Sequence, residues 1–201
     1  MRTKVILSAK EKINIGNTDF FSVKREIIAK VQLILGEVAG DALLNEGWRK
    51  ILINEEEKVF EPKISKGENY LGLPYLILDF PKKFNDDHQF AVRSFFWWGK
   101  YFATFLLLSG KDLDKFLPKV LSNYSLLQEK EFYVSTNDDR WIHSLDEDYY
   151  SPLKSFSKEE FETSIRKSGY LKLATHFPLT EFENATEYFS AQHLFFQQIL
   201  L

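Results

Sequence analysis

Residues 90–109 read Phe-Ala-Val-Arg-Ser-Phe-Phe-Trp-Trp-Gly-Lys-Tyr-Phe-Ala-Thr-Phe-Leu-Leu-Leu-Ser, and their reading decides the fold. A strand with one wet face alternates apolar and polar residues, and this stretch does not. Gly99 sits near its middle and supplies the positive φ that a tight turn needs, so the stretch predicts a β-hairpin. A loop of even length sets Phe96 opposite Tyr101, Phe95 opposite Phe102 and Arg93 opposite Thr104. On this register Val92, Phe96, Tyr101 and Phe105 share one face, and Phe95, Trp97, Phe102 and Leu106 share the other with Arg93 and Thr104.

Residues 70–80, Tyr-Leu-Gly-Leu-Pro-Tyr-Leu-Ile-Leu-Asp-Phe, are apolar on both faces in the same way. The sheet built from these segments must be covered twice, by helices, by a second subunit or by a ligand.

Working outward, Phe20, Val23, Ile27, Val31, Ile34 and Val38 recur every three or four positions over residues 19–38, one face of a helix. Asn17, Thr18 or Asp19 can cap its start. Residues 51–53 suggest a short strand, 54–58 an exposed turn, 59–65 an edge strand carrying Pro62, and 81–88 a polar turn. Asp112 is placed to cap a helix with Leu113, Phe116, Leu117, Val120 and Leu121 on its inner side. A strand over 131–135 and an acidic, aromatic loop over 137–152 follow. Ser157 with Glu160, and Thr180 with Glu183, form capping-box patterns that open two further helices, with a strand over 170–177 between them. This order predicts a single α+β domain spanning residues 1–201. Its sheet is mostly antiparallel, of about five to seven strands, with helices from the N-terminus and the C-terminal half covering both faces.

The chain has 201 residues, no cysteine and a formal net charge of −3. A chain of this length buries roughly 70% of its extended surface and needs no metal or disulfide to hold it. The absence of cysteine removes disulfides, thiolate nucleophiles and cysteine-ligated metals. With 26 basic against 29 acidic residues, and no basic run longer than a pair, nucleic acid is not an expected partner. Val5, Ile6 and Leu7 are too few for a signal-peptide core of about 7–15 residues, and no window reaches the roughly 20 apolar residues of a membrane span. These features predict a soluble cytoplasmic protein without a membrane partner.

No phosphate-binding loop, nucleophile elbow or HExxH helix occurs, and the four histidines fall in four different segments. No cofactor is indicated. Two constellations remain. Arg93 and Thr104 amid Phe95, Trp97 and Phe102 could line an aromatic pocket for a small anionic ligand. The plainer reading is an arginine that snorkels to the sheet edge or pairs with a structural acid. Asp138, Asp139, His143, Asp146 and Asp148 could ligate a hard cation or orient an imidazole, although a solvated acidic loop is the plainer explanation. Trp97 and Trp98 beside the turn suggest either a partner surface, homodimeric association included, or equally a folded-back cover for the sheet end. The functional expectation is a non-enzymatic binding or interaction domain with an aromatic-lined pocket or surface. The alternative is a small hydrolase or isomerase using residues 138–148, with a metal if those acids hold one.

Overall fold

The computed structural model describes residues 4–53, 61–85 and 88–201. Helices α1 (Ala9–Asn14), α2 (Thr18–Leu44) and α3 (Glu46–Ile51) precede a four-stranded meander of β1 (Lys63–Tyr70), β2 (Leu73–Phe84), β3 (Gln89–Trp97) and β4 (Tyr101–Ser109). There follow α4 (Gly110–Ser122), α5 (Tyr124–Glu129), β5 (Tyr133–Ser135), β6 (Tyr150–Pro152), α6 (Lys158–Ser168), β7 (Tyr170–Pro178) and α7 (Ala185–Leu200). The strands form one antiparallel sheet in the order β1-β2-β3-β4-β7-β5-β6, an α+β fold.

The hairpin between β3 and β4 forms where the glycine places it, but its register differs by one residue from the expected one. Trp97 pairs with Tyr101, Phe96 with Phe102 and Arg93 with Phe105. The loop has three residues, closed by the Lys100 amide donating to the Trp97 carbonyl at 3.1 Å, with Gly99 at φ 69°. A one-residue change of register sends side chains to the other face of the sheet. Phe102 and Thr104 therefore lie on the face opposite Arg93, Phe95 and Trp97, not with them.

On one face Leu76, Leu78, Phe90, Val92, Phe96, Phe102, Leu106, Leu171 and Leu173 meet the apolar sides of α2 to α7 in one continuous core. Trp48 of α3 is buried there against Phe80 and Phe90. Burying each such large side chain contributes roughly 1.5–3 kcal/mol. On the other face Phe95, Trp97, Ala103, Phe105, Tyr150 and Ala174 form a second cluster with Tyr70, Tyr75, Tyr101 and Leu145. The sheet is thus covered twice by its own chain. The second cover is the irregular segment 136–149 rather than a helix, because four tyrosines satisfy that segment's backbone (below).

Local chemistry explains the element boundaries. The Asn17 side chain accepts from the Phe20 amide and starts α2. The Ser157–Glu160 capping box forms as expected, and Gly169 ends α6 at φ 72°. The Thr180 box does not form. Residues Leu179–Asn184 make a 3-10 turn broken at Glu181, and α7 starts only at Ala185. Asp112 lies within the first turn of α4 rather than capping it, and pairs with Lys83 at 3.2 Å. Ile51 closes α3 instead of opening a strand, and β2 runs on through Pro81 to Phe84. The turn expected at 54–58 and the start of the edge strand expected at 59–65 lie outside the described residues. Among the described residues, no helix is long and apolar enough to cross a membrane.

Candidate functional site

Arg93 of β3 stands directly opposite Asp79 of β2 on the second face. Its Nε and Nη2 donate to the two carboxylate oxygens at 2.7 and 2.9 Å, the fork-to-fork geometry that arginine makes best. Its remaining nitrogen, Nη1, lies 2.7 Å from Nε2 of His143 in the covering segment. Lys172 of β7 is buried on the same face, over the rings of Phe105 and Tyr150. Its ammonium donates to the carbonyls of Arg140, at 2.9 Å, and Ile142.

Tyrosine hydroxyls complete this clasp. Tyr70 accepts from the amides of His143 and Ser144 at 2.7 and 3.1 Å. Tyr101 donates to the His143 carbonyl at 3.1 Å and accepts from the Leu145 amide at 2.9 Å. Tyr150 donates to the Ile142 carbonyl at 2.9 Å, and Tyr170 donates to the carbonyl of Asn137. A buried backbone without a ladder needs such partners, and here side chains supply them.

The electrostatics agree with a closed structural network. Burial, then the charges of Lys172 and Arg93, hold His143 well below the usual histidine range. Burial likewise lowers Lys172 well below the usual lysine range, with Arg93 adding to the effect. Burial pushes Tyr101 up to about 12. The space left between Arg93, Arg140, Trp141, His143 and Lys172 is only about 10 Å³, at the limit for one water molecule.

Of the residues singled out as aromatic-pocket candidates, the structure gathers Arg93, Phe95 and Trp97 around this clasp. The Phe95 ring lies 5.4 Å from the His143 ring, and Trp97 Nε1 donates to the Tyr70 carbonyl at 3.2 Å. Phe102 packs among Phe96, Phe182 and Phe189 on the helical face, where Thr104 is also fully buried. Of the residues singled out as cation ligands, Asp138, Asp139, Asp146 and Asp148 are exposed while His143 is buried with Nε2 facing Arg93. Asp139 accepts from the Trp141 amide at 2.8 Å and Asp146 from the Ser144 hydroxyl. Among the described residues, no three carboxylates or histidines come together as a ligand set for a metal.

A second polar pair lies under the helices. His193 of α7 places Nε2 3.0 Å from the hydroxyl of Ser94, and burial lowers its pKa to about 4. A serine beside an imidazole invites comparison with a nucleophile and its base, but Ser94 is fully enclosed in the sheet. Among the described residues no carboxylate hydrogen-bonds His193 Nδ1.

The open concavity lies elsewhere. Between the N-terminal half of α2 and strands β1 and β2 runs a groove of about 580 Å³. Thr18, Phe21, Lys24, Arg25, Ile28 and Gln32 form the helical wall, and Lys66, Gly67, Glu68, Tyr75 and Leu76 the sheet wall. A Cβ at Gly67 would fall 2.4 Å from the Tyr75 ring, which lies across the glycine on the second face of the sheet and would have to move to admit one. Lys24 and Glu68 form an ion pair across the groove. Sequence reading missed this site because its two walls are about 45 positions apart in the chain. The legible signal was Lys24–Arg25 beside Phe20 and Phe21, on a helix already recognised. Comparison with protein families, curated proteins and solved structures returns no match to this chain.

Proposed function

We propose that the protein is a non-enzymatic binding domain whose ligand occupies the groove between α2 and strands β1 and β2. The observation that carries this reading is the groove itself, at about 580 Å³ within the range of small-molecule sites, roughly 300–1,000 Å³. Phe21, Ile28 and Leu76 give it an apolar lining, and Lys24, Arg25 and Lys66 outnumber its single carboxylate, Glu68. That combination favours an organic anion with an apolar body: the ring and aliphatic groups bury the body, and the cations meet the acid. The Arg93 clasp supports the same reading indirectly, since the space beside it is only about 10 Å³.

Isothermal titration with a series of straight-chain and aromatic carboxylates tests the proposal. Affinity should rise with apolar length, and Lys66→Glu should lower it with the melting temperature unchanged. Heats that are flat across the series, or binding indifferent to Lys66→Glu, would overturn it.

A further inference from the structure

Every residue from Lys4 to Val23 is exposed, and that stretch includes Val5, Ile6, Leu7, Ile13, Ile15, Phe20, Phe21 and Val23. Single exposed apolar residues are ordinary; eight within twenty positions are not. Ile13 and Ile15, flanking the end of α1, are 76% and 75% exposed, and Val5 is 91% exposed. The apolar stripe of α2 shows the same want of a partner. Val31, Leu35 and Val38 are buried under it, but towards the N-terminus it runs into solvent as Phe20 and Val23. Among the described residues, the one ring against Phe20 from outside the arm is Trp98, edge-on at 6.4 Å.

Charge indicates what covers this arm. Residues 4–30 hold six lysines and arginines against three acids, whereas residues 31–201 hold nineteen against twenty-six. The cations flank the apolar residues: Lys4 before Val5, Lys10 and Lys12 before Ile13, and Arg25 after Val23, with Lys24 already paired to Glu68. A second copy of the chain offers acidic surface but, among the described residues outside the arm, little apolar surface to match: Ile64, Leu126 and Leu194 stand on separate elements, and Phe84 and Trp141 make a pair of rings 5.8 Å apart. A bilayer with anionic headgroups satisfies both requirements, because lysines reach the phosphates while the apolar side chains enter the acyl boundary.

We infer that residues 4–23 form an interfacial anchor that lies on an anionic lipid surface. Lying on a membrane is distinct from spanning it, so the absence of a long apolar helix among the described residues does not bear on it. This departs from the expectation of no membrane partner, which was drawn from span length and overall charge.

Co-sedimentation of the full chain with phosphatidylcholine vesicles, with and without phosphatidylglycerol, tests the anchor. The protein should pellet with the anionic vesicles, remain in solution with the neutral ones, and be released by salt. The doubly substituted Ile13→Glu, Ile15→Glu chain, altered where the side chains are about three-quarters exposed, should lose binding by about tenfold or more. Lys10→Glu with Lys12→Glu should act in the same direction. Lys66→Glu, in the groove wall, should leave vesicle binding intact; a loss there would assign the lipid to the groove and overturn the anchor. Absence of pelleting with anionic vesicles would also overturn it. So would a dimer in sedimentation equilibrium that Ile13→Glu, Ile15→Glu dissociates, which would assign the arm to a second copy.

Discussion

Nη1 of Arg93 lies 2.7 Å from Nε2 of His143. A guanidinium only donates, so Nε2 must accept and the imidazole is neutral in the fold. Burial and the neighbouring Lys172 enforce the same state. The unfolded chain, with an ordinary histidine near 6.5, binds a proton that the fold refuses. Stability should therefore fall as pH drops below about 6.5, and His193, lowered to about 4 by burial, adds a contribution of the same sign between those values. Each histidine contributes a slope approaching about 1.4 kcal/mol per pH unit. Calorimetric melting between pH 7 and 5 should show the decline. His143→Gln, which keeps a neutral acceptor for Arg93, should flatten it, and an unchanged slope in that variant would contradict the assignment.

Asp79 carries the countercharge for Arg93 in a site where Asp79 is only 5% exposed. Asp79→Ala should leave a buried guanidinium with only the imidazole as partner and cost about 3–5 kcal/mol. Replacing both residues, as Asp79→Leu with Arg93→Met, should recover much of that loss, since burying the pair carries its own desolvation cost. Denaturant titration of the two single variants and the double variant gives the coupling; additive losses would show that the pair is not the unit described here.

Tyr70 offers one hydroxyl to two amides, those of His143 and Ser144. Tyr70→Phe keeps the ring, which packs edge-on against Phe95 and Trp97, and removes the acceptor. Two buried donors then lack a partner, and the loss should be about 1–3 kcal/mol. Chemical denaturation measures it; a change below about 0.5 kcal/mol would mean that those amides find other partners.

The parts of the fold that were legible are those set by local chemistry and period: the long helix from its Phe20–Val38 stripe, the hairpin from Gly99, and α6 from the Ser157–Glu160 box. The register was not legible, because with apolar residues on both faces of β3 and β4 nothing in the pattern resists a one-residue slip. That slip alone moved Thr104 and Phe102 away from Arg93. Arg93 stands out in the sequence as a charge among apolar residues, but the acid that meets it, Asp79, lies on the neighbouring strand and not in the acidic segment 138–148. Lys172 carried no sequence signal at all. In a strand reading Tyr-Leu-Lys-Leu-Ala it looks like the solvated position of an alternating pattern, and only the segment folded over it makes it buried.

Lys172 also separates local from global stability. Its ammonium fastens the Arg140 and Ile142 carbonyls, while its burial among Phe105, Tyr150 and the Arg93 charge works against its protonated form. Because its pKa is lowered in the fold, the unfolded chain binds the proton more readily at neutral pH, so the residue carries a standing cost there. Lys172→Met removes that cost and keeps the apolar stem, but it frees the Arg140 carbonyl and leaves that of Ile142 to Tyr150 alone. Global unfolding should shift by no more than about 1 kcal/mol in either direction, since the two effects oppose each other. Amide exchange across residues 138–145 should quicken by about tenfold, while the β3–β4 ladder stays protected. Uniform quickening over the whole sheet would instead make Lys172 part of the global core, and unchanged exchange in 138–145 would mean that the tyrosines alone hold the segment down.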